Sequence, residues 1–100
     1  MPRGEGSCWM SEDKFTVILL DSFKNEMEKL SDVHQAMVWN KLSIFRKNPF
    51  HPSFGTHKMW GKIRNFESYI NMDIRIIWKF GDDNTILLID VGHHDVLKKY

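Results

Sequence analysis

The sequence has few of the features that build covalently closed or membrane-spanning proteins. Cys8 is the one cysteine among 100 residues, and a single cysteine cannot form an intramolecular disulfide, which fits a reducing compartment. The longest apolar runs, FTVILL (15–20) and TILLIDV (85–91), are far shorter than the roughly 20 residues that span a bilayer. The first residues also lack the apolar core of a signal peptide. We therefore expect a cytoplasmic protein with no membrane partner.

Nucleotide-binding motifs and metal-ligand spacings are absent as well. The six glycines form neither a GxGxxG nor a Walker sequence. No cysteine pair occurs, and no two histidines lie four residues apart on a predicted helix. The adjacent pair His93 and His94 points to opposite faces if it ends a strand, so it is poorly placed to chelate one ion. We predict no metal site and no cofactor.

The charge is unevenly distributed along the chain, although the formal net charge is only +1. Residues 41–79 contain eight Lys or Arg and two Asp or Glu, a net charge of +6, whereas the segments before and after carry −3 and −2. A basic block attracts polyanions or acidic proteins. A solvated surface with counter-charges folded beside it explains the same block equally well.

The first half of the chain predicts one strand and two helices. The run 15–20 is short and rich in β-branched residues, as in a strand. Apolar residues at helical spacing follow it, and Asp21 or Ser22 and then Ser31 or Asp32 can cap two helices. We expect residues 1–12 to form a flexible tail and residues 13–100 a single domain. These apolar positions are Phe23, Met27 and Leu30 in the first helix and Val38, Leu42 and Phe45 in the second.

The second half predicts strands. Two prolines and a glycine make residues 48–55 a loop without regular structure, and segments 62–71, 72–80 and 85–91 then read as strands. The sequence GDDN (81–84) is typical of a hairpin turn between the last two. The order predicts an α+β fold in which an N-terminal helical pair packs on one face of a small, mainly antiparallel sheet.

Pairing across this turn brings an arginine and a histidine together. Arg75 lies six residues before the turn and Val91 seven after it, so Arg75 is expected near His93 and His94. Cleavage of RNA by its own 2′-hydroxyl requires a base, an acid and a cation on the phosphate, and histidine and arginine suit these tasks. An arginine beside a histidine on a sheet is nevertheless more often ordinary surface decoration.

Three segments in this order and spacing resemble the RelE/ParE superfamily of bacterial and archaeal toxins. They are KNPFHPSFGTHKMWGKI (47–63), ESYINMDIRIIW (67–78) and LLIDVGHHD (87–95), and the resemblance covers about residues 14–100. It implies a RelE-like, microbial-RNase-like fold. It also implies a toxin of a type II toxin–antitoxin system that cleaves mRNA, typically in the ribosomal A site, and that a cognate antitoxin protein holds inactive.

The resemblance also implies roles for individual residues. His94 matches a general acid, Arg75 a ligand of the scissile phosphate, and His57 or Asp73 a general base. Tyr100 matches a tyrosine that stacks on or orients the substrate. The basic residues expected to bind RNA and phosphate are Lys58, Lys62, Arg64 and Lys79.

Two other functions remain open beside the nuclease. Many members carry an arginine or histidine where this chain has Tyr69, so the chemistry could have been lost, leaving a homologue that only binds an antitoxin. A ParE-like protein that inhibits DNA gyrase by binding would share the fold without catalysis. The set of His94, Arg75 and Tyr100 favours the nuclease, because a pure binder needs no general acid.

Overall fold

Two helices cover one face of a five-stranded mixed sheet in the computed structural model, which describes residues 15–59 and 64–94. The elements are β1 (Thr16–Leu19), α1 (Asp21–Met27), α2 (Asp32–Phe45), a 3-10 helix (Pro52–Phe54), β2 (His57–Lys58), β3 (Asn65–Tyr69), β4 (Ile74–Phe80) and β5 (Thr85–His93). The strand order is β1-β5-β4-β3-β2. Only the β1–β5 pair is parallel among these strands. The predicted α+β architecture is therefore confirmed.

The two helices and the turn after α1 bury the predicted apolar positions. Phe23, Val38 and Phe45 are fully buried, and the other three positions are nearly so. Ser31 caps α2, since its side chain accepts a hydrogen bond from the backbone N–H of His34. The predicted cap of α1 is wrong: Leu20 occupies the cap position without a side-chain bond. The described helices include none that is long and apolar enough to cross a membrane.

The β4–β5 hairpin forms at the predicted turn. Asp83 and Asn84 adopt positive φ angles of 52° and 57°, which short polar residues tolerate better than others. The Gly81 N–H closes the turn by donating to the Thr85 carbonyl at 2.8 Å. The strand β5 lies inside the sheet, between β1 and β4, as is typical of a continuous apolar run.

A β-bulge interrupts this hairpin. Trp78 pairs with Leu88, whereas the preceding Ile77 pairs with Asp90, so Ile89 is an extra residue in β5. The carbonyl of Ile89 accepts a hydrogen bond from the Ser22 hydroxyl at the start of α1. Ser22 thus binds the bulge instead of capping its own helix.

A buried hydrogen-bond chain attaches the loop after α2 to the sheet. The Trp78 Nε1–H donates to Ser68 Oγ at 2.8 Å, Ser68 Oγ lies 2.6 Å from Thr56 Oγ1, and the Thr56 hydroxyl donates to the Pro49 carbonyl at 2.6 Å. Because an indole N–H only donates and a carbonyl only accepts, the Ser68 hydroxyl must donate to Thr56. Every polar group in this series of hydrogen bonds therefore has a partner, and the series connects the loop to β3 and β4.

The loop contains more regular structure than the sequence predicted. Pro52–Phe54 forms one turn of 3-10 helix, with the His51 side chain accepting from the Ser53 N–H. The two-residue strand β2 then pairs with β3 at the edge of the sheet. Two-residue pairing has too few residues to produce a visible alternation, so the sequence pattern could not reveal β2.

We expect Ser68→Ala to lower the free energy of unfolding by about 1–3 kcal/mol, because the buried Trp78 N–H then loses its acceptor. Chemical denaturation followed by tryptophan fluorescence measures this change. Ser43→Ala is the matched control, since it removes the same hydroxyl from an exposed position in α2 and should change stability by less than about 0.5 kcal/mol. Equal effects of the two substitutions on stability would contradict a structural role for this series of hydrogen bonds.

Candidate active site

The face of the sheet opposite the helices carries a connected set of polar side chains around Arg75, and we call it the arginine face. Strand alternation places Glu67 and Tyr69 of β3 on this face with Arg75 of β4. The register sets Tyr69 directly opposite Arg75 and His57 of β2 opposite Glu67. His94 joins them from the end of β5. Five residues from four segments of the chain thus meet at one end of the sheet.

Arg75 is the centre of the set and is only 15% exposed. Its Nη1 atom lies 2.6 Å from Nδ1 of His94 and 3.6 Å from Oε2 of Glu67. Nη2 donates to the Met72 carbonyl at 3.3 Å, and the guanidinium carbon lies 4.3 Å from the centroid of the Tyr69 ring. The predicted approach of Arg75 to a histidine is confirmed, and the residue opposite Arg75 in β5 is Gly92.

Glu67 connects Arg75 to His57. Its Oε1 atom lies 3.0 Å from Nε2 of His57 and its Oε2 atom faces Arg75. The other ring nitrogen of His57, Nδ1, lies 2.9 Å from the Gly55 carbonyl. Both nitrogens of His57 therefore face oxygen atoms.

Sequence reasoning missed Glu67, which belongs to none of the residue roles that the resemblance implied. Its strand position, two residues before Tyr69 and on the same face, was the available signal. That signal gains meaning only once the β2–β3 and β3–β4 registers place Glu67 beside His57 and Arg75. A carboxylate 15% exposed between an imidazole and a guanidinium is a candidate proton acceptor.

The side chain of Asp73 lies apart from this set. Its Oδ2 atom is 2.6 Å from Nδ1 of His93, and the His93 ring packs edge-on against His34 of α2. The backbone of Asp73 does reach the site, because its carbonyl accepts the His94 N–H at 2.9 Å. The structure therefore does not bring the predicted Asp73 carboxylate together with Arg75 and His57.

The two adjacent histidines have opposite surroundings. Nδ1 of His93 faces a carboxylate, which accepts, so this nitrogen carries the proton and donates to Asp73. Nδ1 of His94 faces a guanidinium, which only donates, so this nitrogen accepts and the proton of the neutral ring lies on Nε2. The strand alternation predicted for this pair separates them as expected.

The predicted phosphate-binding residues are dispersed. Lys79 shares the arginine face but lies four residues from Arg75 along β4, about 13 Å, and pairs with Asn65. Arg64 is exposed at the same far end, just before β3, with a φ of 72°. Lys58 pairs with Phe66, so alternation points it away from the arginine face. Lys62 and Tyr100 lie outside the described residues.

The described residues include no group of three His, Cys, Asp or Glu side chains arranged to hold a metal ion. The arrangement around Arg75 instead combines a fixed cation, a carboxylate and two imidazoles. Such a set can bind an anionic group and move protons on either side of it.

Comparison with known proteins identifies the fold. No protein-family model and no curated protein matches the chain. Among solved structures, the RelBE2 toxin–antitoxin complex of Mycobacterium tuberculosis is similar with a TM-score of 0.69 and 15% identity, over 81% of this chain and 99% of that chain. The DinJ-YafQ toxin–antitoxin complex of E. coli has a TM-score of 0.69 and 12% identity, over 85% and 98%.

The RelE-RelB complex of the archaeon Pyrococcus horikoshii is similar in the same way, with a TM-score of 0.66 and 15% identity, over 80% of this chain and 94% of that chain. The chain therefore has the RelE-like α+β fold, and the resemblance stated from the sequence is confirmed at the level of the fold.

We expect the neighbouring histidines to show opposite tautomers when both rings are neutral, with the proton on Nδ1 in His93 and on Nε2 in His94. Long-range ¹H–¹⁵N NMR correlations distinguish the two forms. Asp73→Ala should remove the preference of His93 for the Nδ1-protonated tautomer, because the carboxylate acceptor is lost, and should leave the tautomer of His94 unchanged. The same tautomer in both rings of the parent protein would contradict the contacts described above.

Proposed function

We propose that this chain is the toxin of a type II toxin–antitoxin system and that it cleaves mRNA. The observation that carries the proposal is the connected set of His57, Glu67, Arg75 and His94 on one face of the sheet. The RelE-like fold supports it, because the similar solved structures are toxins in complex with their antitoxins.

In this proposal Arg75 binds the scissile phosphate. Its guanidinium stays charged and presents parallel N–H groups to two phosphate oxygens. Nη1 reaches the phosphate by giving up its contact with His94, while the Tyr69 ring stays in contact with the guanidinium. The same cation then stabilises the extra negative charge of the phosphorane as it forms.

Glu67 is the proposed general base. Its carboxylate takes the proton of the ribose 2′-hydroxyl, whose oxygen attacks phosphorus. His57 fixes the carboxylate through Oε1, and can receive or share that proton through the same contact at 3.0 Å. Glu67 replaces Asp73 in this role because the Asp73 carboxylate lies against His93. His57, the other general base that the resemblance implied, assists Glu67 in this proposal and does not act as the base itself.

His94 is the proposed general acid. When Arg75 turns to the phosphate, Nδ1 of His94 becomes free to take a proton from solvent. The imidazolium then gives a proton to the departing 5′-oxygen and returns to the neutral state. The products are a 2′,3′-cyclic phosphate and a 5′-hydroxyl, so each proton taken at Glu67 is balanced by one delivered at His94.

The partners of the proposal are RNA and an antitoxin. Lys79 and Arg64 lie at the far end of β3 and β4 from Arg75, where they can follow the RNA backbone away from the site. Roles for Lys58, Lys62 and Tyr100 remain predictions from the sequence. The cognate antitoxin, the ribosomal A site and a cytoplasmic location are proposed on the same grounds as the toxin function.

We expect the double substitution His94→Ala with Arg75→Ala to abolish the arrest of translation that the parent chain causes when its expression is induced. His94→Ala alone should slow RNA cleavage by about 10²–10⁴-fold, the usual contribution of a proton-transferring group. The measurements are incorporation of labelled methionine in cells and cleavage of RNA by purified protein, with and without programmed ribosomes.

His93→Ala is the matched control for His94→Ala, because it removes the neighbouring imidazole from the opposite face and should leave cleavage within about twofold on this strand-parity argument. Mapped RNA ends should carry 5′-hydroxyls, and a 2′-deoxy substitution at the cleaved position should block the reaction. Intact mRNA with accumulated gyrase–DNA cleavage complexes would instead support the gyrase inhibitor. Antitoxin binding without either activity would support the catalytically inactive homologue.

A second pair of variants separates the two candidate carboxylates. We expect Glu67→Gln to lower the cleavage rate by at least about 10²-fold, since the amide cannot take the 2′-hydroxyl proton. Asp73→Asn should retain most activity, because its backbone carbonyl still accepts the His94 N–H. Loss of cleavage in Asp73→Asn with retention in Glu67→Gln would return the base to Asp73.

A further inference from the structure

Tyr69 occupies an unusual position in the arginine face. The ring is 37% exposed and lies directly opposite Arg75 in the β3–β4 pairing. The guanidinium carbon is 4.3 Å from the ring centroid, within the range of a cation–π contact. An aromatic ring therefore faces Arg75, the central cation of the site.

The other side of Tyr69 is bounded by the loop that leads into β2. A Cβ added to Gly55 would lie 3.0 Å from both Cδ2 and Cε2 of the Tyr69 ring, and Gly55 has a φ of 52°, so a side chain there would collide with the ring. The His57 ring meets Tyr69 edge-on, with centroids 6.0 Å apart. Gly55 and His57 thus hold the ring from one direction while Arg75 rests on it from another.

We propose that Tyr69 is a positioning residue that holds the Arg75 guanidinium ready for phosphate, with Gly55 supplying the space that the ring needs. This inference rests on the proposed function, since it names how the phosphate ligand of that reaction is oriented. The contact places the guanidinium carbon over the Tyr69 ring, while Nη1 and Nη2 face His94, Glu67 and the Met72 carbonyl. An arginine held in this way loses less side-chain freedom when it binds an anion.

A second role for Tyr69 fits the same geometry, and the experiment must distinguish it from the positioning role. An exposed tyrosine beside a phosphate-binding arginine could instead stack on a nucleobase, in which case its contribution would not depend on Arg75. A positioning role requires dependence, because the ring then acts only through the guanidinium. Residues that act as one unit give non-additive effects in a double-mutant cycle.

The binding test uses a 2′-O-methylated RNA oligonucleotide, which lacks the attacking hydroxyl and is not cleaved. We expect Tyr69→Leu to weaken binding about tenfold, the size of a partly desolvated cation–π contact, and Tyr69→Phe to restore binding to within about twofold, because the aromatic face remains. In the Arg75→Ala background, Tyr69→Leu should have no further effect. An undiminished loss in that background would assign Tyr69 to base stacking and overturn the positioning role.

A readout without RNA tests the contact itself. The Arg75 side-chain protons should show an upfield ring-current shift by NMR in the parent and in Tyr69→Phe, and should lose it in Tyr69→Leu. A parent that shows this shift but cleaves no RNA would refute the proposed function and leave the Tyr69–Arg75 contact standing. A parent that cleaves RNA while Tyr69→Leu binds and cleaves equally well would refute the positioning role alone.

Discussion

The unpaired residue Ile89 determines which of two adjacent histidines meets Arg75. Without this bulge the hairpin would set Arg75 opposite Val91, and His93 rather than His94 would share the arginine face, because alternate strand residues share a side. The same slip would turn Val91, which is fully buried, out of the core at a cost of about 1.5–3 kcal/mol. The core thus selects the register, and the register selects the proposed acid. Ser22 reinforces the choice from α1 by donating to the bulged carbonyl.

Much of the fold was readable from the sequence because it follows from local periodicity and turn chemistry. A few neighbouring residues are enough to predict each local structure, as in the two helical stripes, the polar turn at 81–84 and the apolar run of β5. The bulge does not, since the run ILLID contains no glycine or other residue that marks a bulge. Counting residues outward from the turn therefore gave the correct meeting of Arg75 with a histidine but did not reveal the bulge, which sets Arg75 opposite Gly92.

The site was less predictable than the fold because its members are joined only by the sheet. Glu67 and His57 are ten residues apart and meet through the two-residue pairing of β2, which leaves no periodic trace. Asp73 looked equally suitable as a carboxylate near Arg75 in the sequence. Its position in the β3–β4 turn, where Asn71 accepts its N–H at 2.8 Å, points the carboxylate to His93 and offers only its carbonyl to His94. Side-chain direction in a turn depends on such local bonds and not on spacing.

Glu67 also explains how the site keeps a largely buried arginine when no phosphate is bound. An unpaired charge removed from water destabilises a fold by several kcal/mol, and Arg75 is mostly buried. Glu67, the Met72 carbonyl and His94 together offset that cost. Of these three contacts, the one to His94 is made by a neutral ring on an exposed residue, so it is the least costly to exchange for a charged phosphate oxygen. The exchange that admits the anion is then the same event that frees the histidine for protonation, so the proposed acid becomes available only after the phosphate has arrived.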